Sequence, residues 1–233
     1  MRALVIIHDP ASEAVLVGER LEHHGYEQVE FEITTEVGNP VGSIAGMGEP
    51  TDYDLIVPMG SVYSLTDTEQ ISTWIHDELE FLRRADAAGV PVLGICFGSQ
   101  ALAAAHGGRV VKADRPQVGW HPLTPRPDAP QFAGPWMQWH YDRFEPPAEG
   151  RILAADDVGV QAFSLRRNLG VQFHPEVTHG HVARWLEIGG SEEVASNGVD
   201  PEALLAETAA LAGDVLPRTN ALVDWFVGEV ATA

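Results

Sequence analysis

A single cysteine stands in 233 residues, which excludes an internal disulfide and any zinc cluster built on thiolates. Basic residues are also scarce: 14 Lys and Arg face 34 Asp and Glu, for a formal charge of −20 at pH 7. Each phosphate would approach against the protein's own field, so neither a nucleic acid nor an anionic membrane is an expected partner. No apolar run approaches the roughly 18 residues needed to span a bilayer, and Ala3 to Ile7 is too short for the core of a signal peptide. A cytoplasmic location is expected. The histidines show no HExxH or zinc-like spacing, and Gly38, Gly42, Gly46 and Gly48 form no GxGxxG fingerprint or Walker loop. Neither a metal nor another cofactor is therefore expected.

What remains is a chain with 45% apolar residues, enough at this length for a sizeable core. Ala3 to Ile7 reads as a strand closed by Asp9-Pro10, and Val15, Leu16 and Leu21 fall on one helical stripe before Gly25. Gln28 to Ile33 and Leu55 to Val57 are further strand candidates, separated by a Gly/Pro-rich loop from Gly38 to Pro50. Asp67 or Thr68 is positioned to cap a long helix on which Ile71, Trp74, Ile75, Leu79 and Leu82 recur at threes and fours. Val90 to Ile95 runs unalternated into Cys96, as a strand buried on both faces would, and a helix over 97–106 ends at Gly107-Gly108.

The middle changes character. From Arg109 to Leu169, repeated prolines and short strand-like pieces predict antiparallel strands attached to the same sheet. Val171 to Phe173 is another brief strand, and helices return at His179–Ile188, Pro201–Ala212 and Leu216–Val230. The expected fold is α/β: an open, mostly parallel sheet with helices on both faces and an antiparallel β-rich insertion. It forms a single domain over 1–233, with a β-rich portion at 109–169 and an acidic helical extension at 189–233.

Two stretches carry chemistry. In Gly94-Ile95-Cys96-Phe97-Gly98-Ser99-Gln100, a glycine sits two residues to either side of the cysteine, letting strand and helix approach through a strained turn that aims the sulfur out of the sheet. The helix N-terminus beyond it offers unpaired N–H groups to a thiolate or a developing oxyanion. The segment alone leaves open a nucleophile or a buried structural thiol. In Gly170-Val171-Gln172-Phe173-His174-Pro175-Glu176, His174 falls at the carboxyl end of a strand, where open parallel sheets gather their sites. A carboxylate two residues on could orient it. Base, orienter and thiol together form an acyl-transfer constellation, although His174 alone reads more readily as a satisfied histidine at a strand end.

Taken together, these two motifs resemble the class I (triad) glutamine amidotransferases, the glutaminase domain found in GMP synthase, anthranilate synthase and carbamoyl phosphate synthase. The resemblance implies a flavodoxin-like fold and assigns roles by position. Cys96 would attack the side-chain amide of glutamine, His174 would shuttle the proton, and Glu176 would orient His174. Phe97 and Gly60, in Pro58-Met59-Gly60-Ser61, would supply the oxyanion-hole N–H groups. Met59 and Ser61 replace the Gly and Pro of the usual Gly-Gly-Pro, leaving a loop with less freedom to turn an amide inward. Gln100 would help hold substrate, and the backbone near Tyr141, in Trp139-His140-Tyr141-Asp142, would touch its amino-acid end; Trp139 and Trp120 also read as core anchors.

The resemblance implies ammonia release to a synthetase subunit, since a chain stopping at 233 is expected to lack an acceptor domain of its own. The alternatives are a free-standing hydrolase of γ-glutamyl amides or peptides and a non-catalytic interaction module of the same fold.

Overall fold

The computed structural model describes residues 1–232. Its first layer is a parallel sheet in which β1 (Arg2–Ile7) lies between β2 (Glu27–Glu32) and β3 (Leu55–Pro58). Residues Ala3 to Ile7 are all buried, as an unalternated β-branched run requires when both faces are covered. A second set of strands runs in the order β4 (Leu93–Ile95), β9 (Asn168–Val171), β8 (Val160–Leu165), β7 (Arg151–Ala155), β5 (Arg109–Pro125), β6 (Gly134–Glu145). The Ile56–Val92 bridge, with Ile56 N–H donating to Pro91 O at 3.0 Å, joins the two into one curled sheet. β4 and β9 pair in parallel and β9, β8, β7, β5 and β6 antiparallel, so the expected α/β sheet with an antiparallel insertion is present.

Helices α1 (Val15–His23), α2 (Ile75–Ala87), α3 (Phe97–Ala105), α4 (His179–Trp185), α5 (Ser191–Ser196) and α6 (Pro201–Trp225) cover the sheet. One apolar cluster joins Val17 and Leu21 of α1 to Leu222 and Val223 near the end of α6 and to Phe226 just beyond it; another joins Ile75 and Leu82 of α2 to Ala101 and Leu102 of α3. Two helical expectations need correction. The helix expected from Asp67 or Thr68 starts at Ile75. Ile71 and Trp74 are buried as the periodicity implied, but Trp74 has a non-helical φ of −143° and donates its indole N–H to Pro40 O at 3.0 Å, so the chain turns instead. The two C-terminal helices are one: α6 runs through Pro217, whose missing N–H normally ends a helix. Burial of Val215, Thr219, Leu222 and Val223 on either side of it holds the helix together, an instance of packing outweighing propensity.

Candidate active site

β4 delivers Cys96 to the edge of a cavity of about 530 Å³. Cys96 has φ 51° and ψ −109°, a region that non-glycine residues adopt only where the surroundings over-determine it. Those surroundings are visible. Its N–H donates to Val171 O of β9 at 2.8 Å, and its carbonyl accepts from Ser99 N–H and Gln100 N–H at 3.0 and 3.1 Å and from the Ser99 hydroxyl at 2.7 Å. The flanking glycines are sterically required. A Cβ on Gly94 would sit 2.6 Å from Gly98 O, and one on Gly98 would sit 2.0 Å from Pro58 O.

His174 lies three residues beyond the end of β9, which stops at Val171 instead of running through Phe173 as expected, and is anchored by its N–H to Met137 O at 2.8 Å. Its Nδ1 is 2.6 Å from Glu176 Oε1, and Nε2 is buried without a hydrogen-bond partner. An Nδ1–H donated to the carboxylate leaves Nε2 as the free basic nitrogen. Burial alone would lower the pKa of His174, but the nearby Glu176 and Cys96 outweigh it and hold the value well above that of a free histidine. Pro175 fixes this turn, and its carbonyl accepts from Thr219 of α6 at 2.6 Å.

Gly60 faces both groups: a Cβ there would lie 3.0 Å from His174 Cε1 and 3.7 Å from Cys96 Cβ. Among the described residues, no acceptor takes the N–H of Gly60 or of Phe97, which is the condition an oxyanion-hole donor must meet. Gln100 is buried, with its amide donating to Asp142 O and Gln172 Oε1, both at 3.3 Å. Tyr141 lines the same cavity; burial first, then its hydrogen bond to Glu193, raises its pKa, so it remains a neutral phenol. The structure therefore gathers all the sequence-nominated positions, Cys96, His174, Glu176, Gly60, Phe97, Gln100 and Tyr141, around one cavity.

Several neighbours were not nominated from the sequence. Asp9, just past β1, accepts from Val62 N–H at 3.1 Å and orders the loop after Gly60. Gln172 donates to Cys96 Sγ at 3.8 Å. Its place two residues before His174 was the available signal. Trp185 packs edge-on to His174, with ring centroids 5.1 Å apart. Its wall continues through Ile188, Gly189 and Glu193, where a φ of 123° at Gly189 breaks the helical path between α4 and α5. His140, on β6, is pushed by burial down to about 4 and is therefore a neutral hydrogen-bonding group near neutrality.

A cysteine with positive φ at a strand-to-helix elbow, beside a histidine bonded to a carboxylate, on a flavodoxin-like sheet, is the arrangement of groups that a cysteine-hydrolase site uses. The chain belongs to the family described as Glutamine amidotransferase class-I, whose profile matches residues 23–187. It is 35% identical over 127 residues to the GMP synthase (glutamine-hydrolyzing) of Thermomicrobium roseum, covering 51% of this chain and 22% of that one. It is 37% identical over 145 residues to that of Thermus thermophilus, covering 56% and 28%. The match thus spans about a quarter of those relatives' length. Solved glutamine amidotransferases from Thermotoga maritima (TM-score 0.84, 21% identity, covering 98% of this chain and 99% of that chain) and Methylobacillus flagellatus (0.82, 20%, 97% and 94%) share the fold over nearly the whole chain. No helix among the described residues is long and apolar enough to cross a membrane.

Proposed function

We propose that this chain hydrolyses the side-chain amide of glutamine through a glutamyl thioester on Cys96 and passes the ammonia to a synthetase subunit. The observation that carries the reading is the His174 ring, held at Nδ1 by Glu176 at 2.6 Å and free at Nε2 beside a cysteine in a strained elbow. Nε2 takes the thiol proton, and sulfur attacks the amide carbon. The N–H groups of Phe97 and Gly60 receive the oxyanion, and the protonated imidazole returns the proton to the leaving nitrogen as ammonia departs. Water, deprotonated by the same nitrogen, then cleaves the thioester to glutamate and the free thiol. Glu176 orients the ring and stabilises its cation. Gln100 and the backbone near Tyr141 hold the amino-acid end of the substrate.

A second reading, free-standing hydrolysis of γ-glutamyl amines or peptides, is favoured by the cavity itself. Its volume of about 530 Å³ and its Trp139 and Trp185 walls suit a ligand larger than one free amino acid, within the roughly 300–1,000 Å³ of drug-sized sites. Glutamine, γ-glutamyl amines and γ-glutamyl peptides assayed side by side for glutamate and ammonia separate the two. Weak glutamine turnover that rises on adding a synthetase and its substrates supports the first reading. Brisk cleavage of substituted amides by the chain alone supports the second. Cleavage that persists in Cys96→Ala overturns both.

A further inference from the structure

We propose that His8, paired with Glu78, is a positioning residue that holds the Gly60 loop in its oxyanion-accepting arrangement. The inference rests on the amide-hydrolysis reading above and adds to it a part of the machinery outside the triad.

His8 follows β1 directly and has no exposed surface; neither does Glu78 of α2. Its Nε2 lies 2.9 Å from Glu78 Oε1 and its Nδ1 lies 3.3 Å from Gly60 O. Both ring nitrogens therefore face acceptors, and the ring can donate to both only as an imidazolium. Burial would lower its pKa, but Glu78, by charge and by hydrogen bond, raises it overall. The same ring packs edge-on against Phe97, with centroids 4.7 Å apart, and lies 5.6 Å from Trp74. One buried histidine thus touches both residues nominated to stabilise the oxyanion.

Gly60 needs such a grip. Without a Cβ it has wide conformational freedom, and no proline follows it to limit the loop. In a trans peptide the carbonyl and the next N–H point in opposite directions, so fixing a carbonyl fixes an amide. Met59 O is held by Gly98 N–H at 3.0 Å, which fixes the peptide that carries the Gly60 N–H, and Gly60 O is held by His8, which fixes the following Gly60–Ser61 peptide, so together they set the torsions of Gly60 and the path of the loop. The pair has weak justification as a stabiliser, because buried ion pairs are often matched or bettered by apolar side chains. Glu78 Oε2 is moreover buried without a partner. A buried histidine aimed at the Gly60 carbonyl is better explained by how it holds the loop that carries the Gly60 N–H.

The test uses the full chain and two substitutions that split the contacts of His8. In His8→Asn the amide nitrogen stands where Nδ1 stood and keeps the Gly60 bond; in His8→Gln it stands where Nε2 stood and keeps only the Glu78 bond. Steady-state cleavage of γ-glutamyl p-nitroanilide is measured beside Tm and the rate at which iodoacetamide alkylates Cys96, a displacement that needs the thiolate but no oxyanion hole. Losing one hole donor outright costs about 100- to 1,000-fold in kcat, so loss of its support in His8→Gln is expected to lower kcat by about 10- to 100-fold. KM and alkylation rate should stay within about twofold, and His8→Asn should retain most of kcat. Equal losses in both variants, losses that follow Tm, or an unimpaired His8→Gln would overturn the proposal. If wild type cleaves the anilide and Cys96→Ala does not while His8→Gln is normal, only this inference falls. If wild type cleaves no amide and forms no glutamyl adduct by mass spectrometry, the underlying reading falls and takes this one with it.

Discussion

His174 and Glu176 are two residues apart and both nearly sealed from solvent, so the charge on one governs the protonation of the other. The raised pKa of His174 means that its imidazolium survives to a higher pH than that of a free histidine. In Glu176→Gln the ring loses the nearest negative charge while burial, which disfavours the cation, remains. Its pKa should therefore fall, and the alkaline limb of kcat/KM against pH should move toward lower pH, accompanied by a loss of about 10²-fold or more in kcat from misorientation. A limb that stays in place would show that Glu176 does not set the charge of the imidazole. At Gly98 the constraint is steric. The Cβ of Gly98→Ala would need space 2.0 Å from Pro58 O, and backbone at the base of the Gly60 loop cannot give way cheaply. The expected cost is about 3 kcal/mol, or about 6–12 °C in Tm for a chain of this size, measurable by calorimetry; a variant as stable as wild type would show that β3 can shift.

The helices α1 and α6 are clasped from outside by a triangle of polar side chains. Arg20 donates to Asp224 through Nε at 2.6 Å and Nη2 at 2.7 Å, and His24 Nε2 lies 2.7 Å from the same carboxylate. The Arg20 hydrogen bond, ahead of the His24 contact, holds Asp224 down to about 2. For a depressed carboxylate the stabilisation is fully present above the unfolded pKa near 3.9 and is lost as pH falls through about 2. Asp224→Asn should thus lower Tm at pH 7 by about 2–4 °C, less than the geometry suggests because the carboxylate is partly exposed, and the difference should shrink between pH 4 and 2. An unchanged Tm at neutral pH would show the clasp to be energetically idle. This contact joins residues some 200 positions apart, and nothing in the sequence pairs them. What the sequence did carry were local rules: the glycines about Cys96, the unalternated strands, the histidine and glutamate around a proline. Where Trp74 and Pro217 overrode local rules, the cause was long-range packing that no window of residues contains. His8 and Asp9 escaped for the same reason, since their meaning comes from Gly60, Val62 and Glu78, which only the folded sheet brings to them.

At the scale of the whole molecule the dominant fact is charge. With −20 spread over one chain, most acidic groups have no basic partner to meet: there are only 14 Lys and Arg, and Arg20, Arg84, Arg109, Arg115 and Arg166 are already engaged in ion pairs. The remaining carboxylates repel one another more strongly in the compact state than in the expanded chain, so the fold carries an electrostatic load that its core must offset. Salt screens this load, with a Debye length falling from about 30 Å at 0.01 M to about 8 Å at 0.15 M. It also weakens the exposed pairs, but those are individually small terms. Net, Tm should rise between 0.01 and 0.15 M NaCl, with most of the gain at the low end, and an uncharged osmolyte at matched osmolarity should not reproduce that dependence. A Tm that falls with added salt would mean that the local ion pairs outweigh the global repulsion, and the acidic surface would then have to be regarded as internally compensated.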